Sequence, residues 1–229
     1  MFGVAITAND IVSTSLETAT ITVLAVAVLV LAGLSWTFGR WRIPLALSGV
    51  ALLASGLGYL EMTQVWLEGR ALDGVHRYVG WFVVQPLQVA ALYFFARING
   101  PVPVGVFWRI TVAAVLMVLC RYLGHALIFD PTLGMLLSIA FWLYILGELY
   151  FGAMAGAVRD RTRPVRLGYF WMRLILTIGW AVYPILHFVD AVVGAGHGPA
   201  LIVLHTVADL VNLVTVSLIV LAVASQESY

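Results

Sequence analysis

The stretch ALIVLHTVADLVNLVTVSLIVLAVA (200–224) is apolar almost throughout, and Asp209 is its one acidic or basic residue apart from His205. A helix on the surface of a water-soluble domain keeps a polar face, because only one stripe of it is buried. This stretch keeps none. An apolar run of about 20 residues is the length of helix that crosses a ~30 Å hydrocarbon layer. A carboxylate ten residues into such a run is costly in lipid, so it turns inwards towards other helices.

Six runs of the same kind precede it, separated by short polar breaks: about 18–38, 44–66, 78–96, 104–128, 132–158 and 167–193. They are too long and too continuously apolar for the alternating strands of a barrel. The expected fold is therefore an all-α bundle of seven transmembrane helices, one domain over residues 1–229, in the cell membrane. Composition agrees. The chain is 62% hydrophobic and 10% charged, with a mean hydropathy of +1.02, whereas a soluble domain carries about 25% charged residues. The first run lacks a basic leader and is too long for a cleaved signal.

A net charge of +1 gives no reason to expect a nucleic-acid partner, and the single cysteine, Cys120, excludes a disulfide framework. There is no convincing internal repeat, so an inverted-repeat transporter has no positive support. The 12 basic residues are all arginine. Without a lysine amine, Schiff-base chemistry is closed to the chain.

Arginine also orients the bundle. The breaks after the first, third and fifth runs hold Arg40, Arg42, Arg97, Arg159, Arg161, Arg163 and Arg166. Those after the second, fourth and sixth hold Arg70, Glu68, Asp73, Asp130 and Asp190. The N-terminus is expected outside and the C-terminus in the cytoplasm.

Asp209 has no cationic neighbour in sequence, so it is protonated or paired from another helix. His205 and Leu213 lie one turn to either side of it. Arg77, at the start of the third run, either snorkels outwards or turns in to meet Asp209. With His187 and His205 these form an expected polar interior cluster: Arg77, His187, His205 and Asp209. Two histidines and a carboxylate are metal-ligand types, but they sit on separate helices without motif spacing, so no metal is expected. Arg121 and His125 are expected to anchor to the interface or to Asp130. Glu148 is expected to pair with Arg173 or Arg166. Tyr59, Trp81, Trp142, Trp180 and Tyr183 fall near mid-span on different helices, which suits either ordinary packing or a pocket for a flat apolar molecule.

These residues resemble the microbial rhodopsins of the haloarchaeal bacteriorhodopsin type. RYVGWFVVQPL (77–87) is similar to the family's Arg-Tyr-x-Asp-Trp-x-x-Thr-x-Pro-Leu, WAVYP (180–184) to its Trp-x-x-Tyr-Pro, and LHTVADLVNLV (204–214) to the stretch bearing its second counter-ion aspartate. LYIL (143–146) and Tyr59 also fit. The resemblance covers all seven runs in order. It implies a ligand pocket of Tyr59, Trp81, Trp142, Trp180, Tyr183 and Leu213.

The departures bear on function. By this resemblance the retinal lysine falls on Leu213, the first counter-ion on Gly80, its threonine partner on Val84, the proton donor on Ala91 and a proton-release acid on Leu201. His187 stands where the family has a pocket tryptophan. The losses are concerted: without the buried cation, a carboxylate at position 80 would itself be uncompensated.

The resemblance thus implies a protein that forms no retinal Schiff base and does not pump protons with light, and that is not an enzyme. No covalent cofactor is expected. Non-covalent retinal or carotenoid, in a regulatory, sensory-type role, is the leading expectation. The second is a non-catalytic partner subunit, as a homo-oligomer such as a trimer or with another membrane protein or the lipid bilayer. A third is a passive ion or small-solute pathway past Asp209.

Overall fold

Where water is absent, a backbone must satisfy its hydrogen bonds within its own segment, so each apolar run winds into a helix. The computed structural model describes residues 11–70, 72, 74–193 and 198–228; Asp73 and His197 lie outside them. The helices are α1 (Ile11–Ala32), α2 (Arg42–Leu67), α3 (Gly74–Asn99), α4 (Val104–His125), α5 (Pro131–Phe151), short α6 (Ala153–Val158), α7 (Arg163–Val193) and α8 (Pro199–Glu227). Among the described residues, 7 segments are long and apolar enough to cross a membrane, α5 and α6 together making one of them.

Local chemistry explains where these bounds depart from the apolar runs. α1 starts at Ile11 rather than near 18, its first two turns burying Val12 and Leu16. α4 stops at His125, short of 128. Leu127 takes a left-handed φ of 56°, and the amides of Leu127 and Ile128 bond back to the carbonyls of Gly124 and Leu123, the αL arrangement that ends a helix. α5 opens on Asp130, whose carboxylate accepts from the Leu133 amide at 2.9 Å, with Pro131 in its first turn.

The expected single run 132–158 breaks at Gly152, which is extended (φ −84°, ψ −172°). A side chain there would collide with Glu148, its Cβ falling 2.6 Å from the Glu148 carbonyl oxygen. Apolar patterning does not register such a break, since α6 is as apolar as α5.

Neighbours in sequence pack side by side, and α8 closes the ring against α1, α2 and α7. α3 is the most enclosed span, with Val89, Ala91, Leu92 and Phe95 fully buried. α4 and α5 approach closely because Gly134 lies where a Cβ would sit 2.7 Å from the Cys120 carbonyl. Two ends of the bundle result. One carries Arg40, Arg42, Arg97 and the Arg159–Arg166 loop, here called the arginine-rich end; Arg77 and Asp209 lie towards the opposite end.

Candidate functional site

Asp209 sits on α8 where four helices converge. Its Oδ2 accepts from Arg77 Nη1 at 2.6 Å and from the Tyr59 hydroxyl at 2.7 Å. Its Oδ1 accepts from the Tyr183 hydroxyl at 2.5 Å and from Trp81 Nε1 at 3.1 Å. The donors come from α2 (Tyr59), α3 (Arg77 and Trp81) and α7 (Tyr183). Arg77 and Trp81 reach one carboxylate because they are one helical turn apart. An ionised carboxylate offers about four acceptor sites, and all four are filled.

The ion pair is largely buried: the Arg77 and Asp209 side chains are 13% and 12% exposed. Charge is balanced inside the cluster, and Arg77 Nη2 reaches Thr206 Oγ1 at 3.5 Å. His205 is near but separate. Its Nδ1 lies 2.8 Å from the Leu201 carbonyl, and its ring stacks on Tyr183 at 6.0 Å between centroids. His187 does not join the carboxylate. It lines a cavity of about 340 Å³ with Arg77, Arg121, His205, Asp190 and Leu201. The residues expected as one polar cluster thus divide into an ion pair and two histidines facing a cavity beside it.

The aromatic residues enclose little space. Tyr59, Gly80, Trp81, Val84, Trp180, Tyr183 and Leu213 border a space of about 40 Å³. Trp142 borders a second of about 40 Å³, also walled by Trp81, Trp180 and Tyr183. Each holds about one water, whereas pockets for drug-sized ligands begin near 300 Å³. Trp81, Gln85, Trp180 and Tyr183 border both spaces, and Trp81 meets Tyr183 edge-on with centroids 5.0 Å apart. Trp142 Nε1 is occupied with the Leu176 carbonyl at 3.2 Å.

Leu213 is 4% exposed, one turn beyond Asp209. Asn212 beside it donates from its side-chain amide to the Tyr183 hydroxyl at 3.3 Å, and its main-chain carbonyl accepts from Gln88 at 3.2 Å. A Cβ at Gly179 would overlap the Asn212 amide, so α7 and α8 touch there. At Gly80 a Cβ would meet nothing within 4 Å. Ala91 is fully buried.

Two expected pairings are replaced by others. Glu148 meets Arg109 at 2.7 Å, not Arg173 or Arg166. Arg121 turns into the 340 Å³ cavity, with Nη1 3.1 Å from Met135 Sδ and its guanidinium 5.8 Å from the Trp81 ring, while the Asp130 carboxylate caps α5. Sequence reading missed Arg109 as a partner; it set Gln85 and Gln88 beside the carbonyl freed at Pro86 and Asn212 on the Asp209 face, and it did not foresee the bonds of Gln88 to Asn212 and of Asn212 to Tyr183. Each acts across helices, and no spacing within one helix signals that.

Residues 11–226 match the family model of bacteriorhodopsin-like proteins. The blue-light absorbing proteorhodopsin of the Gamma-proteobacterium Hot 75m4 is 28% identical over 222 residues, covering 96% of this chain and 88% of its own length. The green-light absorbing proteorhodopsin of the Gamma-proteobacterium EBAC31A08 is 29% identical over 191 residues, covering 82% of this chain and 76% of its own length. The crystal structure of blue light-absorbing proteorhodopsin from Med12 superposes with a TM-score of 0.79 at 26% identity, covering 95% of this chain and 100% of that one. That of Exiguobacterium sibiricum rhodopsin, 20% identical, shares the fold with a TM-score of 0.84, covering 95% and 97%. These relatives are bacterial, so the archaeal kinship expected from the resemblance gains no support. A matching family model over nearly the whole chain, together with seven apolar helices in the same arrangement, makes this chain a multi-pass membrane protein of the bacteriorhodopsin-like microbial rhodopsin family.

Proposed function

We propose that this chain is a rhodopsin-family protein that forms no retinal Schiff base, does not pump ions with light, and serves a regulatory, sensory-type role in the cell membrane. The saturation of Asp209 carries the reading. A carboxylate that neutralised a protonated Schiff base would share its acceptor sites with that cation. Here Arg77 supplies the cation, and Tyr59, Trp81 and Tyr183 fill the remaining sites. The sequence has no lysine to attach an aldehyde, and the position that the resemblance assigns to it is the buried Leu213.

The residues present do not fit covalent retinal. There is no amine, and the aromatic cage holds two spaces of about 40 Å³ in place of one long slot. Gly80, Val84 and Ala91 carry no titratable group, so a proton leaving the region of Asp209 has no relay towards the arginine-rich end, and Leu201 supplies no acid towards the opposite end. The same apolar stretch speaks against a passive ion pathway. A polyene such as retinal or a carotenoid would bind without a bond and by parting Trp81 from Tyr183. The N-terminus is placed outside, on the arginine count.

The test is an absorption spectrum of the purified protein before and after adding all-trans retinal, followed by borohydride reduction and mass measurement. The expected result is no protein-dependent visible band, no retinyl adduct, and no light-induced pH change in liposomes. A visible pigment with a covalent adduct would overturn the proposal.

A further inference from the structure

At the arginine-rich end the break at Gly152 leaves a gap. α5 stops at Phe151, α6 turns aside against the end of α3, and α7 begins at Arg163. The gap is a cavity of about 490 Å³ into which Arg159, Arg166 and Arg173 all project, between the rings of Tyr150 and Tyr169. Arg166 and Arg173 are seven residues apart, two turns along one face of α7, so their positions are separated by about 10 Å along the helix axis. Arg159 reaches in from the loop.

Among the described residues no acidic side chain lines this cavity. The acids nearby are engaged elsewhere or lie outside: Glu148 pairs with Arg109, Glu227 accepts from Thr162 at 2.6 Å, and Asp160 forms no ion pair among the described residues. Arg173 shows the imbalance most clearly. It lies ten residues into α7, within the apolar span. Its guanidinium sits 4.6 Å from the Tyr150 ring centroid, and its Nε is buried with no hydrogen-bond partner among the described residues. A guanidinium at membrane depth is costly unless an anion answers it, and an aromatic face answers it only in part.

We propose that this cavity binds a phosphate-bearing anion, with Arg159, Arg166 and Arg173 as its ligands. Three guanidinium forks match the oxygens of a tetrahedral phosphate, which accepts paired hydrogen bonds from them. Basic pockets between helix ends hold anionic lipid headgroups in this way, and a free phosphate presents the same chemistry. The rings of Tyr150, Tyr169 and Phe170 lie 4.6, 5.9 and 5.6 Å from the Arg173 guanidinium and hold it in place. The Tyr169 hydroxyl, bonded to the Leu149 carbonyl at 2.8 Å, fixes the wall to the end of α5.

The test compares melting temperatures in detergent with added short-chain phosphatidylglycerol, short-chain phosphatidylcholine and inorganic phosphate. Phosphatidylglycerol is expected to raise the melting temperature and phosphatidylcholine to leave it unchanged. If inorganic phosphate reproduces the rise, the ligand is a free anion; if it does not, the ligand is a lipid headgroup. Arg173→Gln and Arg166→Gln are expected to abolish the shift. Arg159→Gln, at the exposed rim where folding is not at stake, is expected to weaken binding on the order of tenfold. Arg40→Gln, exposed at the same end, is expected to respond as the parent does. Equal responses to the two lipids would overturn the proposal. So would a parent-like response in Arg159→Gln, or a loss in Arg40→Gln as large as in Arg166→Gln, which would mark diffuse attraction to a basic surface.

Discussion

Arg77 on α3 and Asp209 on α8 meet at 2.6 Å, with both side chains nearly enclosed. They are 132 residues apart in sequence. Two ions withdrawn from water repay their desolvation only if every remaining donor and acceptor is also met. Tyr59, Trp81 and Tyr183 do this for the carboxylate, so one residue ties α2, α3 and α7 to α8.

Removing one charge leaves the other buried and alone. Asp209→Asn is therefore expected to cost about 3 kcal/mol, read as a lowered melting temperature in detergent. Arg77→Gln combined with Asp209→Asn is expected to cost less than the sum of the single changes, because no orphaned ion remains. Additive losses in that double-mutant cycle would mean the two groups do not depend on each other.

Leu213 and Gly80 supply a second prediction. An amine introduced by Leu213→Lys would arrive one turn from a carboxylate with no free acceptor site, and it would be a net buried cation. The expected loss is about 2 kcal/mol or more. Position 80 has open space where a side chain would begin, so Gly80→Asp added to Leu213→Lys is expected to recover at least half of the loss. Melting curves of the parent, single and double variants decide it; a double variant weaker than Leu213→Lys alone would refute the compensation.

Much of this was legible in the chain. Span lengths and hydropathy specify seven helices, and a lone carboxylate in the last of them calls for a cation. The partners were harder to see. Tyr59 and Tyr183 read as walls of a ligand pocket, yet both spend their hydroxyls on Asp209. Glu148 suits Arg173 or Arg166 by depth but turns to Arg109 on α4. Depth along a helix is written in its sequence. Rotation about its axis is set by packing against neighbours, and Arg109 and Arg173 differ in just that respect. The break at Gly152 was hidden for a related reason: Glu148 leaves no room there for a side chain, and apolar patterning does not record such a contact.

The contact between Gly179 and Asn212 gives a third prediction. A methyl group at 179 has no room while the amide stays in place. Gly179→Ala is expected to destabilise by about 1–3 kcal/mol, as overpacking does. Asn212→Ala in the same background is expected to return part of that loss by vacating the space, although it forfeits the bond to Tyr183. If Gly179→Ala melts with the parent, α7 and α8 do not touch as closely as described.

The last prediction concerns an asymmetry in the Arg109–Glu148 pair. The Arg109 side chain is 55% exposed and that of Glu148 14%. Arg109 lies near the start of α4, and a long aliphatic stem lets it carry its charge towards the arginine-rich end if its partner is lost. Glu148 is short, enclosed, and three residues from the end of α5, so it has no comparable escape. Arg109→Leu is therefore expected to cost at least about 1 kcal/mol more than Glu148→Gln, since only the first leaves an unanswered buried charge. Paired melting curves in one detergent measure the difference. Equal losses would mean the pair contributes through its mutual attraction alone, and that the enclosure of Glu148 carries no separate penalty.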